Sequence, residues 1–133
     1  MLWLDKNENP DPILAQVCAD IIADISSNVF YSYPETGPLY SKLGQYLDLE
    51  PTRLLLSAGS DGLIRAVFEA FIEPGDVVVY SKPTFAMYSV YAQIYGAKSM
   101  TMDYHRTSQG PVLEIDRVIE TIRKNNAKLV CLP

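Results

Sequence analysis

The sequence has one histidine and two cysteines, and none of the three is placed where it could do chemistry of its own. Cys18 and Cys131 are far apart, sit inside apolar patterns and form no Cys-x-x-Cys or Cys/His spacing. That excludes a disulfide framework and a metal site and marks both as buried free thiols. His105 lies in the polar stretch "DYHRTSQG" with no evident partner for general-base work, so it is expected to be an exposed loop histidine. No Ser/His/Asp triad pattern is present. Basic runs are absent as well: 11 lysines and arginines are scattered among 16 acidic residues, for a net charge of -5, which excludes an extended nucleic-acid backbone as partner. No apolar run approaches the ~20 residues of a membrane span. The opening "MLWLDKNENP" lacks the regions of a signal peptide, so a cytoplasmic protein is expected. Sequence repeats and low-complexity tracts are missing.

What remains is a globular composition, 133 residues of which 48% are hydrophobic, enough for one domain with a modest core. The spacing of Ile13, Leu14, Val17, Cys18, Ile21, Ile22 and Ile25 predicts a helix with Asp11 as N-cap and Pro12 at its first position. An aromatic, turn-rich stretch, "NVFYSYPETG", follows, and Leu39, Leu43, Tyr46 and Leu47 mark a second, shorter helix. From Arg53 onward, short apolar runs alternate with helical patterns. "LLLS", "DVVVYS", "KSMTM" and "KLVCL" read as strands. Three helices are expected between them: around Leu63 to Ile72, closed by Pro74-Gly75; around Tyr88 to Tyr95, closed by Gly96; and around Val118 to Ile122, closed near Asn125 and Asn126. Strand-helix alternation of this kind predicts an α/β fold of three layers, a mostly parallel sheet with helices on both faces. The run "KLVCLP" has no closing helix after it, so the chain is expected to be a piece of a longer protein.

Ligands of such sheets collect at the carboxyl ends of the strands, where the next helices begin. The turn "SAGSDG", Ser57 to Gly62, lies at one such helix start. Its first backbone N–H groups lack intrahelical partners and carry the positive end of the helix dipole. Ala58 and Gly59 let an anion approach, Ser60 adds a hydroxyl, and the Asp61 carboxylate fits only if it turns aside to cap the helix. The same residues also make an ordinary helix start. The turn is neither a nucleotide P-loop nor a Gly-x-Gly-x-x-Gly dinucleotide turn. In the next turn, "YSKPTFAMY", Phe85 could lay its ring over a planar ligand or simply pack in the core. Side by side, the two turns would suit a flat, phosphorylated ligand.

The blocks "LDKNENP", "YPETG", "LLLSAGSDGLI", "EPGDVVVYSKPTFAMY" and "KLVCLP" resemble, in order and spacing, the amino-terminal portion of class I/II aminotransferases, fold type I pyridoxal phosphate enzymes, and look closest to the histidinol-phosphate aminotransferase group. The resemblance implies the partial large domain of such an enzyme. Residues 1–52 would form an amino-terminal arm and helices contributing to the substrate cleft and a dimer contact; residues 53–133 would begin the cofactor-binding α/β domain. It implies that Gly59, Ser60 and Asp61 bind the phosphate of pyridoxal 5'-phosphate through backbone N–H groups, and that Phe85 stacks on the pyridine ring, where that group usually has tyrosine. Tyr33 would reach across a homodimer to the other protomer's cofactor phosphate, and Asn7 would border the substrate. The aspartate facing the pyridinium nitrogen, the lysine that holds the cofactor and the carboxylate-binding arginine would all lie beyond Pro133, so no catalytic residue is assigned to this chain. Lys42 in "YSKLG" lies in the wrong block and reads as a surface lysine.

The implied activity of the whole enzyme is transfer of an amino group from an amino acid to a 2-oxo acid or phosphorylated ketone, with pyridoxal phosphate as electron sink. The 133 residues alone are expected to bind the cofactor weakly at best and to be inactive. Two alternatives stay open: a non-transaminating relative on the same fold, such as a decarboxylase or carbon-sulfur lyase, and a catalytically dead α/β binding module.

Overall fold

A computed structural model describes Asn9 and residues 11–132. It divides into two compact units with the boundary between Leu54 and Leu55.

In the first unit, α1 spans Pro12–Ala23. Its start follows from local chemistry: the Asp11 carboxylate accepts from the Ile13 amide at 2.9 Å, and Pro12 enters the helix with no N–H to satisfy. The helix buries no residue, leaving Ile13, Ile21 and Ile22 exposed. Cys18 is exposed too, against the expectation of a buried thiol; Cys131 is buried. A 3₁₀ turn covers Ser27–Phe30, and α2 spans Gly37–Leu47. Gly44 in α2 is buried, and a Cβ there would sit 2.7 Å from the Leu49 carbonyl oxygen. Another 3₁₀ turn, Pro51–Arg53, closes the unit.

The second unit contains α3 (Gly59–Phe71), β1 (Val77–Lys82), α4 (Met87–Ile94), β2 (Lys98–Asp103), β3 (His105–Thr107), β4 (Gly110–Val112), α5 (Ile115–Lys124) and β5 (Leu129–Cys131). β1 lies between β2 and β5, parallel to both, with Tyr80 opposite Thr101 on one side and Cys131 on the other. The chain steps from β1 to β2 in one direction and from β2 to β5 in the other. A constant right-handed crossover therefore puts α4 and α5 on opposite faces of the sheet.

Side-chain alternation along β1 agrees with that arrangement. Val78 and Tyr80 point into one core with Phe68, Tyr91, Ala92 and Cys131; Val79 points into the other with Met102 and Val118. β1 is buried on both faces, which is why it reads as an unbroken apolar run. The fold is thus α/β, a parallel sheet flanked by helices on both faces.

Two local expectations fail. Leu54 has extended dihedrals, yet residues 54–57 belong to neither sheet among the described residues, and Leu55 is 66% exposed. Both sides of β1 are already taken by β2 and β5. The polar stretch after β2, expected to be a loop, instead forms the antiparallel hairpin β3–β4. Thr107 closes its turn, donating its hydroxyl to the Gly110 carbonyl at 2.7 Å and accepting from the Gln109 amide at 3.2 Å.

Candidate functional site

The first turn of α3 is open. Ala58 occupies the N-cap position and contributes no side-chain hydrogen bond. The Ser60 and Asp61 amides are among the first donors of the helix, which have no carbonyl one turn back to receive them. Gly59 sits at φ +79°, a left-handed conformation open to glycine, and nothing lies within 4 Å of where its Cβ would be. The approach to these amides is therefore unobstructed on that side.

Ser57 sets the turn. Its hydroxyl donates to the Gly59 carbonyl at 2.8 Å, and the Gly59 amide donates to the Ser57 carbonyl at 2.9 Å. Gly62 makes room for this arrangement, because a Cβ there would stand 2.8 Å from the Ser57 hydroxyl oxygen.

Asp61, expected to turn aside and cap the helix, does not cap it: α3 has no side-chain cap hydrogen bond. Burial first, and the nearby Asp61 carboxylate after it, raise the phenol of Tyr91 on α4 above its ordinary value. One turn further along both helices, Arg65 interacts with the Tyr95 hydroxyl, which raises the guanidinium. The rings of Tyr91 and Tyr95 pack against Phe68 with centroids at 5.8 and 6.2 Å. Pairing 61 with 91 and 65 with 95 means that α3 and α4 run parallel. Their amino-terminal ends therefore share the end of the unit where β1 finishes.

Phe85 lies at that end, in the turn between β1 and α4. Its ring is 38% exposed and packs edge-on against Tyr88, with centroids 5.8 Å apart. A cavity of about 410 Å³ opens here, lined by the end of β1, by residues 83–86, and by Ser89 and Thr101. The Thr84 hydroxyl is buried at its edge without a hydrogen-bond partner, and the fully buried Ser81 accepts from the Tyr104 hydroxyl at 3.1 Å. The strand order reverses between β1 and β5, and in open α/β sheets that is where ligands bind.

The structure brings Gly59, Ser60 and Asp61 together in one turn and sets Phe85 at the same end of the unit. Tyr33 belongs to the first unit, where it is 99% exposed. Asn7 lies outside the described residues. Sequence reasoning treated Tyr91 as a packing residue, and it is buried at 6% exposure against Phe68. His105 also has neighbours it was not expected to have: its Nε2 is 3.3 Å from Arg117 Nη1 and 3.6 Å from Glu114 Oε1, beside a cavity of about 250 Å³. Among the described residues, no cluster of His, Cys, Asp and Glu could hold a metal ion, and no helix is long and apolar enough to cross a membrane.

Comparisons with known proteins bear on the family and the fold. Residues 1–133 match the family model of aminotransferase class I and II. The chain is similar to the histidinol-phosphate aminotransferase of Roseiflexus castenholzii, with 37% identity over 136 residues, covering 99% of this chain and 36% of the relative. It is similar to that of Thermoanaerobacter sp. (strain X514), with 35% identity over 131 residues, covering 97% of this chain and 36% of the relative. The chain thus spans 36% of the length of these curated relatives. Among solved structures, the fold matches that of histidinol-phosphate aminotransferase from Sinorhizobium meliloti in complex with pyridoxal-5'-phosphate, with a TM-score of 0.72 and 20% identity over 93% of this chain and 32% of that one. The chain belongs to the class I and II aminotransferases and carries part of their fold type I domain.

Proposed function

We propose that this chain supplies the phosphate cup and the ring-stacking face of the cofactor site in a pyridoxal 5'-phosphate-dependent aminotransferase. The enzyme moves an amino group from an amino acid to a 2-oxo acid or phosphorylated ketone, with histidinol phosphate the leading substrate pair member. The observation that carries the reading is the uncapped first turn of α3, with open Gly59, at the same end of the unit as the half-exposed Phe85. Support comes from the names of the relatives and from the cofactor in the Sinorhizobium meliloti structure.

The residues fit the group. A phosphate at the amino end of α3 meets the Ser60 and Asp61 amides, the Ser60 hydroxyl and the positive end of the helix dipole. Phe85 covers one face of a planar ring and excludes water from it. Bound there, pyridoxal phosphate supplies an electron sink for the carbanion left when an amino acid loses its α-proton. This chain's residues bind and orient; they hold no proton in the reaction. Tyr33 reaches the phosphate of the partner protomer's site in a cytoplasmic homodimer, and Asn7 borders the substrate. The 133 residues alone are inactive.

Purified full-length protein should show a visible absorption band from bound cofactor that borohydride discharges, and should turn over in an amino-donor screen that includes histidinol phosphate. A full-length protein that takes up no pyridoxal phosphate contradicts the proposal. Turnover by residues 1–133 alone contradicts the assignment of inactivity.

A further inference from the structure

Among the described residues, the Thr84 hydroxyl is the one buried side-chain polar group without a hydrogen-bond partner. The hydroxyls around it are served: Ser81 accepts from the Tyr104 hydroxyl at 3.1 Å, and Ser89 donates to the Ala86 carbonyl at 2.8 Å. The Thr84 oxygen has almost no surface open to solvent, so in this orientation water does not serve it either. Buried hydroxyls are nearly always bonded, and one left unserved is a net cost to the fold. Thr84 as a residue is only half-buried, and it lines the cavity of about 410 Å³ at the end of β1 with Phe85, Ser89 and Thr101. Its remaining atoms face that cavity while its hydroxyl is turned away from it. A threonine side chain turns about one torsion with three staggered positions, so a step of about 120° moves the hydroxyl to the open side and leaves an apolar group in its former place.

We infer that Thr84 is a further binding residue of this site: its hydroxyl turns into the cavity and donates to a polar substituent of the ring that Phe85 covers. The inference rests on the cofactor reading above and adds to it a donor for the ring, where the first turn of α3 serves the phosphate. Thr84 and Phe85 are consecutive in the turn between β1 and α4 and line the same cavity, so a ring seated against Phe85 lies beside Thr84. The bond exchanges an unserved buried hydroxyl for a paired one, and its loss is expected to weaken binding by about fivefold, the weight of one neutral hydrogen bond.

The test measures the affinities of pyridoxal phosphate and of pyridoxal, which shares the ring and lacks the phosphate, on full-length protein stripped of cofactor. Thr84→Val keeps the branched shape without the hydroxyl and is expected to lose about fivefold for both ligands, while Thr84→Ser, which keeps the hydroxyl, stays within about twofold of wild type. No loss in Thr84→Val, a loss confined to pyridoxal phosphate, or an equal loss in Thr84→Ser overturns the inference and leaves the cofactor reading standing. Wild-type protein that binds neither ligand overturns the cofactor reading, and this inference with it. Should Thr84→Val fail to fold, Thr84→Ala against Thr84→Ser decides, since the two differ by the hydroxyl alone: weaker binding of both ligands by the alanine variant supports the inference, and equal affinities contradict it.

Discussion

Replacing Gly62 by alanine sets two effects against each other. Alanine in place of glycine inside a helix ordinarily stabilises by about 1 kcal/mol. At this position its Cβ would stand 2.8 Å from the Ser57 hydroxyl oxygen and 3.3 Å from the Ser57 Cβ. Ser57 must move, breaking its 2.8 Å hydrogen bond to the Gly59 carbonyl, a loss of about 1 kcal/mol. Residual crowding in the turn adds about 1–2 kcal/mol. The net expectation is a destabilisation of about 1–2 kcal/mol, together with weaker pyridoxal phosphate binding as the first turn of α3 shifts. In a Ser57→Ala background the hydroxyl is gone, so the same alanine should be neutral or mildly stabilising, a coupling of about 2 kcal/mol between the two sites. Urea unfolding of the four full-length proteins measures this cycle. If Gly62→Ala stabilises by the same amount in both backgrounds, Ser57 does not pack against Gly62 and the account of this turn is wrong.

Gly59→Ala tests the left-handed backbone alone. Nothing crowds its Cβ, so the expected cost of about 1–2 kcal/mol comes from φ +79°, and Gly59→Asn should recover part of it in the same unfolding assay. Phe68→Ala empties the centre of one core and is expected to cost about 3–5 kcal/mol in urea unfolding, with Phe68→Leu costing distinctly less. Burial pushes the Cys131 thiol up from 9.0 to about 11. Below pH 9 folded and unfolded chains both keep the proton and the group contributes nothing to pH dependence. Between pH 9 and 11 the unfolded chain releases the proton first, so stability falls as pH rises through that window. Comparing pH-dependent unfolding of the wild type with Cys131→Ala should isolate this slope, and iodoacetamide at pH 8 should label Cys131 only on unfolding.

Features set by local chemistry were legible in the sequence. Asp11 followed by Pro12 announces the start of α1, because a carboxylate cap and a residue without an N–H both act within one turn. Gly75, Gly96 and Asn126 mark chain reversals where φ turns positive. The unbroken run Val77–Tyr80 reads as a strand buried on both faces, and it is one. Features that depend on distant neighbours were not legible. Leu54 to Ser57 carries a strand pattern, but a strand exists only beside another, and among the described residues neither sheet takes these four in. His105 to Val112 carries no apolar alternation, so its hairpin, held by Thr107 and the positive φ of Gly110, left no periodic trace. At the candidate site, small residues announce the turn, while the closeness of Asp61 to Tyr91 on α4, thirty positions along the chain, leaves no local trace.

The central claim is that the amino end of α3 holds a phosphate through backbone amides while Phe85 covers the ring. A crystal structure of the full-length protein with pyridoxal phosphate tests it directly. The expected result is phosphate oxygens within about 3.2 Å of the Ser60 and Asp61 amide nitrogens, the Asp61 carboxylate clear of them, and the Phe85 ring over the pyridine. A phosphate seated away from α3, or an Asp61 carboxylate lying across the amides of its own turn, would contradict it.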